Sequence, residues 1–442
     1  MTGRVDILGP AHGGSGVARV DGQVMFVRGA LPGEKGVPVR VDEPSPGRRF
    51  LTASVTDPAA IAEASPHRVA ARCPAAAAGA GCCDLDHVDR DGSLAFKTQV
   101  VTEQFQRIGR VDLGALRDGA GPESRSLEPF TGYRTRVRLG VDDAGRAGLR
   151  ERNGSGVVAL DGNGCAQWAP GLAEGLSEEL AGYDLTPGAE VCVALGDDGV
   201  RGVVEVPPVP RAGRRRRGRA AKWGPGQARR PVRRRVLGGT GEVVRTVAGV
   251  SWRVPVEAFW QAHQGAAEMY SGWVRENTPS ADGLAWDLYG GAGVFAAALT
   301  DAAPGIAVDC VDIASPATAA GRESLAGRDV RFVTGDVAES TGGLRGAAPG
   351  SGPLSVVVLD PPRTGAGAKV VEAVAGHRPG TVLHIGCDPA TAARDAAAFA
   401  RHGYHPDSAT VVDAFGLTHH VEVLVRYVRR DDDDGEPLGH TR

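Results

Sequence analysis

Two side chains near the carboxy terminus carry the most chemistry. Cys387 lies in Val382-Leu383-His384-Ile385-Gly386-Cys387-Asp388-Pro389, where an apolar run gives out, and Glu422 follows in Leu417-Thr418-His419-His420-Val421-Glu422. A thiol at a strand tip and a later carboxylate suit substitution at C5 of a pyrimidine. That carbon is a poor nucleophile until a thiolate adds at C6, a covalent step for which the thiolate is the competent form of cysteine. Once C5 has captured an electrophile, a general base must take the C5 proton before the sulfur can leave. Taken singly, each residue has a plainer reading: a cysteine after a strand is commonly an inert buried thiol, and a glutamate a solvated strand residue.

The elements that must position this pair are legible upstream. Ala285-Trp286-Asp287-Leu288-Tyr289 is a short apolar run, broken by Gly290-Gly291-Ala292-Gly293 and resumed as Val294-Phe295-Ala296-Ala297-Ala298-Leu299. Strand, glycine turn and helix in that order let backbone approach a ligand at a helix N-terminus, which makes Gly291 and Gly293 candidate cofactor contacts. The run 306–311 ends on Asp312, about twenty residues on, where an acid can accept the hydroxyls of a ribose. Strands expected at 330–333 and 354–359 lead to Gly335-Asp336 and to Asp360-Pro361-Pro362-Arg363. This alternation with alanine-rich helices predicts an α/β fold, a doubly wound parallel sheet with ligands at the carboxyl ends of its strands. Gly291-x-Gly293-x-x-Ala296 also passes as a dinucleotide fingerprint, so a nicotinamide-dependent oxidoreductase is the rival enzyme class.

Phe259-Trp260-Gln261, Asp287 to Gly293, Asp360-Pro361-Pro362-Arg363, Cys387-Asp388-Pro389-Ala390-Thr391 with Arg394-Asp395, and His420-Val421-Glu422 resemble, in order and spacing, the S-adenosylmethionine-dependent RNA uridine C5-methyltransferases. Amino-group methyltransferases use a similar Asp-Pro-Pro run followed by an aromatic, whereas Arg363 follows here. The resemblance implies Cys387 as nucleophile and Glu422 as proton acceptor. It implies that Gln261, Tyr289, Asp312 and Asp360 line the S-adenosylmethionine site, with Asp336 near the adenine. Three positions depart from the family: Asp312 stands for its usual glutamate, Val294 for a frequent asparagine and Asp388 for asparagine. Asp388 adds a negative charge beside the nucleophile, which disfavours the thiolate if the two side chains lie close. A non-catalytic RNA-binding protein that has kept the fold is a further alternative.

The 442 residues suggest two or three domains. In residues 1–56, short apolar runs at 5–8, 16–20, 24–27 and 37–41 between glycine turns suggest a small barrel. Gly13-Gly14-Ser15-Gly16-Val17-Ala18 and Ala30-Leu31-Pro32-Gly33-Glu34 resemble the TRAM domain, an OB-like RNA-binding module; Arg28, Lys35, Arg40, Arg48 and Arg49 are available to an RNA backbone. A central α+β RNA-binding unit is expected over 57–250 and the methyltransferase domain over 251–430.

The central unit holds Cys73, Cys82, Cys83 and Cys165. The family resemblance implies a four-cysteine 4Fe-4S cluster there, although adjacent Cys82 and Cys83 depart from the usual spacing. Neighbouring residues in extended backbone point opposite ways, so one cluster needs an unusual turn, for which Gly79 and Gly81 are available. Ordinary buried thiols and a disulfide are the alternatives, the latter against a reducing cytoplasm.

Between Arg211 and Arg235 the chain carries twelve arginines and lysines without an acid, a loop suited to phosphates, and 431–442 is an acidic tail. Net charge is only −3, so the basic loop is masked in the total. No apolar run is long enough for a signal peptide or membrane span, which points to a cytoplasmic chain, expected to be a monomer. The expected substrate is RNA: ribosomal RNA of the large subunit is favoured, because the compact transfer RNA enzymes of the family usually lack the TRAM-like unit and the cysteines. The T-loop uridine of transfer RNA is the alternative.

Overall fold

The computed structural model describes residues 2–43, 47, 49–117, 119–152, 154–162, 164–208, 234–280, 282–347 and 352–430. The basic run from Arg211 to Arg233, Arg48 and the acidic tail lie outside these residues. Arg234 and Arg235, which the sequence groups with the phosphate-facing loop, are paired instead with Glu257 at 2.9 Å and Glu205 at 2.8 Å.

Six strands make the amino-terminal barrel: Thr2–Val5, Gly9–Ala11, Ser15–Val20, Gln23–Arg28, Val37–Val41 and Leu51–Val55. Ala18, Met25, Val27, Val37, Val39 and Ala53 turn inward and form its core, as the two-residue period of a strand requires. Asp21 and Gly22, at φ 49° and 79°, make the tight turn between the third and fourth strands, matching the handedness that paired strands need. Of the strand expected over 5–8 only Val5 is strand, as the last residue of Thr2–Val5. Ile7 N donates to Glu34 O, and Gly36 N donates to the Asp6 carboxylate, so this stretch is tied to the 34–36 loop instead of a ladder.

A second, wholly antiparallel sheet runs in the order Val157–Ala159, Ala147–Arg150, Arg136–Val141, Glu190–Leu195, Arg201–Val206, Arg235–Gly238. Its core includes Leu139, Leu172, Val191 and Val193 together with Cys73, Cys83 and Cys165. The segment 57–250 does not keep to itself, however. Glu123–Ser126 pairs in parallel with Tyr404–Asp413 at the edge of the carboxy-terminal sheet. The helix Arg90–Gln104 lies alongside, and its Lys97 and Ser93 side chains bond the buried Asp413 carboxylate. A buried ammonium of this kind is tolerable only with such a partner.

The carboxy-terminal sheet has eight strands, in the order Val330–Thr334, Ile306–Asp312, Gly283–Leu288, Leu354–Leu359, Thr381–Gly386, Glu422–Arg429, Tyr404–Asp413, Glu123–Ser126. The first five are parallel and almost wholly apolar, as strands covered on both faces must be. Glu422–Arg429 runs antiparallel to both neighbours, so the sheet is mixed instead of purely parallel. That reversal carries the start of Glu422–Arg429 to the same edge of the sheet as the ends of the parallel strands. The connections reverse direction between Gly283–Leu288 and Leu354–Leu359, the place where an open sheet leaves a crevice for a ligand. No helix among the described residues is long and apolar enough to cross a membrane.

Candidate active site

Strand register brings the two reactive side chains together. Gly386 is opposite Val423 across the antiparallel pair, so the next residue, Cys387, is level with Glu422, itself opposite Val412. Cys387 is half-buried, whereas Glu422 is buried and its Oε2 meets no hydrogen-bond partner among the described residues. Leu288, Leu359 and His384 are aligned on three consecutive strands. The glycine turn after Leu288 is therefore two strand spacings, about 10 Å, across the sheet from the thiol strand. Asp360 stands between them: its N donates to Leu288 O, and its carboxylate accepts from Gln261 Nε2 at 3.4 Å.

The turn is built to keep space open. Tyr289 adopts φ 64°, a strained value for a residue with a side chain. A Cβ at Gly290 would come within 2.6 Å of the Asp287 carboxylate and Cys310, so only glycine fits; at Gly291 a Cβ would meet nothing within 4 Å, and the backbone there faces open space. Gly293 (φ 78°) leads into the helix Val294–Ala302, whose Ala296 N donates to Asp287 Oδ2 at 2.9 Å. Asp312 accepts from Gly291 N at 3.0 Å and from Ala314 N at 2.7 Å, holding the turn against the next strand. Asp336 is exposed and caps the short helix Val337–Ser340. The open backbone beside Gly291, together with Asp312, Asp360 and Gln261, fits an adenosine-bearing donor at a helix N-terminus.

Electrostatics at this edge favour protons. Burial raises Glu422 well above the carboxylate range, with Asp360 adding to the effect and Arg363 opposing it. Burial and the nearby Asp287 and Asp312 push Asp360 up to about 7. Cys387 is pushed up to about 12 by burial, then by Glu422 and Asp360, while Arg363 pulls it down. With no ligand bound, the thiol is protonated at neutral pH.

Asp388 behaves otherwise than its position suggests. His12 of the barrel pairs with it at 3.1 Å, and Thr391 N donates to it at 2.9 Å, so it caps the helix Pro389–Ala400. The His12 bond is the main cause holding it down at about 2, and Asp388 is not among the chief influences on Cys387. Three contributors are not evident from sequence. Tyr270 is fully buried, its hydroxyl has no partner among the described residues, and Glu422, Asp360 and Cys387 all act on it. In sequence it is only one aromatic of an amphipathic helix. Asp395 accepts from Ala366 N and Gly367 N and pairs with the buried His384, fixing the loop after Arg363. Arg363, quoted only as part of a motif, is the cation nearest in effect to the thiol.

The four central cysteines converge despite the adjacency of two of them. All four Sγ atoms lie within 4.8 Å of one another. Gly79, at φ 103°, supplies one of the turns. Thiolates on the four irons of a cubane stand roughly 6 Å apart, so the quartet is too tight for that group.

A TRAM domain model matches residues 2–56. An uncharacterized RNA methyltransferase of Corynebacterium efficiens is 42% identical over 434 residues, spanning 96% of this chain and 94% of the relative. The 23S rRNA (uracil(1939)-C(5))-methyltransferase of Methylococcus capsulatus is 30% identical over 446 residues, with 95% of each chain covered. The solved tRNA (uracil-54, C5)-methyltransferase of Pyrococcus abyssi, in complex with S-adenosyl-L-homocysteine, shares the fold: its TM-score is 0.66 at 21% identity, over 97% of this chain and 100% of that one. Identity of this degree along nearly the whole length decides membership: the chain belongs to the S-adenosylmethionine-dependent RNA uridine C5-methyltransferase family.

Proposed function

We propose that this protein methylates C5 of a uridine in 23S ribosomal RNA through a covalent bond from Cys387 to C6. The observation that carries the reading is the level placement of a half-buried thiol and a buried, unpartnered carboxylate across Gly386 and Val423, at the edge that also holds the glycine turn. Ribosomal RNA is preferred because relatives of that printed activity match along the whole chain at 30% and 31% identity. Transfer RNA is the second reading, from the Pyrococcus abyssi enzyme.

The target base must leave its stack, since neither C5 nor C6 is reachable within a helix. Gly291, Asp312 and Asp360 would hold S-adenosylmethionine, which would supply a methyl group on a sulfonium whose positive charge would offset the carboxylates that hold the thiol up. Cys387, once deprotonated, adds through Sγ to C6, and the displaced electron pair makes C5 nucleophilic. After C5 has taken the methyl group, leaving the sulfonium sulfur as a neutral thioether, the Glu422 carboxylate, its own proton already lost to solvent, accepts the C5 proton and the C6–Sγ bond breaks, returning the thiolate and 5-methyluridine. A carboxylate whose proton affinity is raised by burial is the stronger base for that step. Gln261 orients the Asp360 carboxylate, and Asp395 holds the loop that presents Arg363.

The test is incubation of the protein with tritiated methyl donor and with ribosomal and transfer RNA from cells lacking the gene, then mapping of the labelled nucleotide. Label at C5 of one ribosomal uridine is expected. Label on transfer RNA alone would replace the substrate, and label on an exocyclic amine or ribose would discard the mechanism.

A further inference from the structure

Cys73, Cys83 and Cys165 are buried and Cys82 is partly buried, and the methyl-transfer mechanism uses none of them. Cys73 Sγ lies 3.6 Å from Cys82 Sγ and 3.9 Å from Cys165 Sγ, and Cys83 Sγ is 3.6 Å from Cys165 Sγ. Four sulfurs each ~2.3 Å from one tetrahedral ion stand about 3.8 Å apart. The observed separations match that figure and fall well short of the cubane spacing. Vicinal Cys82 and Cys83 are both turned into one small tetrahedron, which leaves no room at its centre for four irons and four sulfides. Gln167 Nε2 lies 3.1 Å from Cys83 Sγ and donates to Cys82 O at 2.6 Å, the kind of outer contact that orients a thiolate ligand.

We infer that Cys73, Cys82, Cys83 and Cys165 hold a single tetrahedral divalent ion, zinc by the softness of four thiolates, in place of an iron–sulfur cubane. Binding releases the thiol protons, and no electron changes hands.

The placement also says what the ion does. Asp84, next to Cys83, pairs with His419 Nδ1 and accepts from His419 N at 2.9 Å, while Leu85 N donates to Leu417 O. Tyr133 Oη lies 3.0 Å from both Gln167 and Gly416 O. The ion therefore staples the segment that braces the loop 416–421, which delivers Glu422. This inference rests on sulfur geometry and stands or falls apart from the methylation reading.

The full chain, purified anaerobically without added metal, is assayed for zinc, iron and acid-labile sulfide. One equivalent of zinc per chain without sulfide is the expected result, as is the visible spectrum of a tetrahedral tetrathiolate after exchange into cobalt(II). Four irons with four sulfides per chain would overturn the inference, and so would a chain that carries no metal and takes up no cobalt. Cys165→Ser and Cys82→Ser are each expected to lose the bound ion. Hydrogen exchange of the metal-stripped wild-type chain is expected to rise in 416–421 and to stay unchanged in 381–386. Equal protection of 416–421 with and without metal would remove the bracing role.

Discussion

At the end of Thr381–Gly386 one half-buried sulfur stands beside a carboxylate whose Oε2 has no partner among the described residues; in the central segment four sulfurs, three of them buried, face one another. Both regions bury cysteine, and both gather groups whose charges repel. At the sheet edge the repulsion is left standing. Glu422, Asp360 and Cys387 each hold a proton more tightly than usual. In the quartet four thiolates would repel one another in the same way, and the inferred ion would offset that repulsion permanently. An open, proton-loaded thiol is suited to covalent chemistry, and a closed set of thiols to holding a fold together. What distinguishes them is which neighbours the tertiary structure supplies, since the side chain is identical.

Substitutions that separate the two regions test this contrast. Cys387→Ala is expected to lower methyl transfer on the order of 10⁴-fold while metal content and RNA binding persist. Turnover at the wild-type rate would end the covalent reading. Glu422→Gln is expected to slow turnover ~10²–10⁴-fold and to accumulate a protein–RNA adduct that survives denaturing electrophoresis. An equal slowing with no adduct at any time would move the base elsewhere.

The proton-loaded character of Cys387 has its own signature. Because its thiol titrates near 12, alkylation followed at that peptide by mass spectrometry should rise about tenfold per pH unit from neutral pH towards that value. A plateau by the range of an ordinary thiol would show that burial and the neighbouring acids do not raise it.

The smallest expected effect concerns His12. Asp388 is depressed to about 2 chiefly by that partner, so its contribution to stability is present above the unfolded carboxylate value and disappears as pH falls through 2. The pair is partly exposed, and His12→Ala is expected to cost roughly 1 kcal/mol or less, read as a lower Tm and a few-fold loss of rate. Adding Asp388→Asn to His12→Ala should restore much of the rate by removing the unpaired charge. If the double variant is as slow as His12→Ala, the barrel does not act through Asp388.

Much of the catalytic sheet was legible in order of residues. Apolar runs ending at Tyr289, Asp312, Leu359 and Gly386 stop at strand ends or one residue beyond, because strands covered on both faces must be continuously apolar and must stop where ligands begin. The reversal of Glu422–Arg429 was not legible: an apolar run reads alike in either direction, and only pairing decides it. Local periodicity also missed the break at Asp6–Leu8, since hydrogen bonds to residues near 34–36 replaced the ladder. The pairing of Arg234 and Arg235 with acids depends likewise on distant residues.

Residue types and spacing by themselves determined that this chain carries a glycine turn, a strand-tip thiol, a later carboxylate and four cysteines in its central segment, for those are properties of covalent order. Only the folded structure decided that Cys387 and Glu422 stand level, that Asp388 answers to His12, and that vicinal Cys82 and Cys83 turn towards one centre. Each of these is a distance between groups far apart along the chain or a rotation of adjacent ones. Such distances are set by how sheets and loops pack, not by neighbours in sequence.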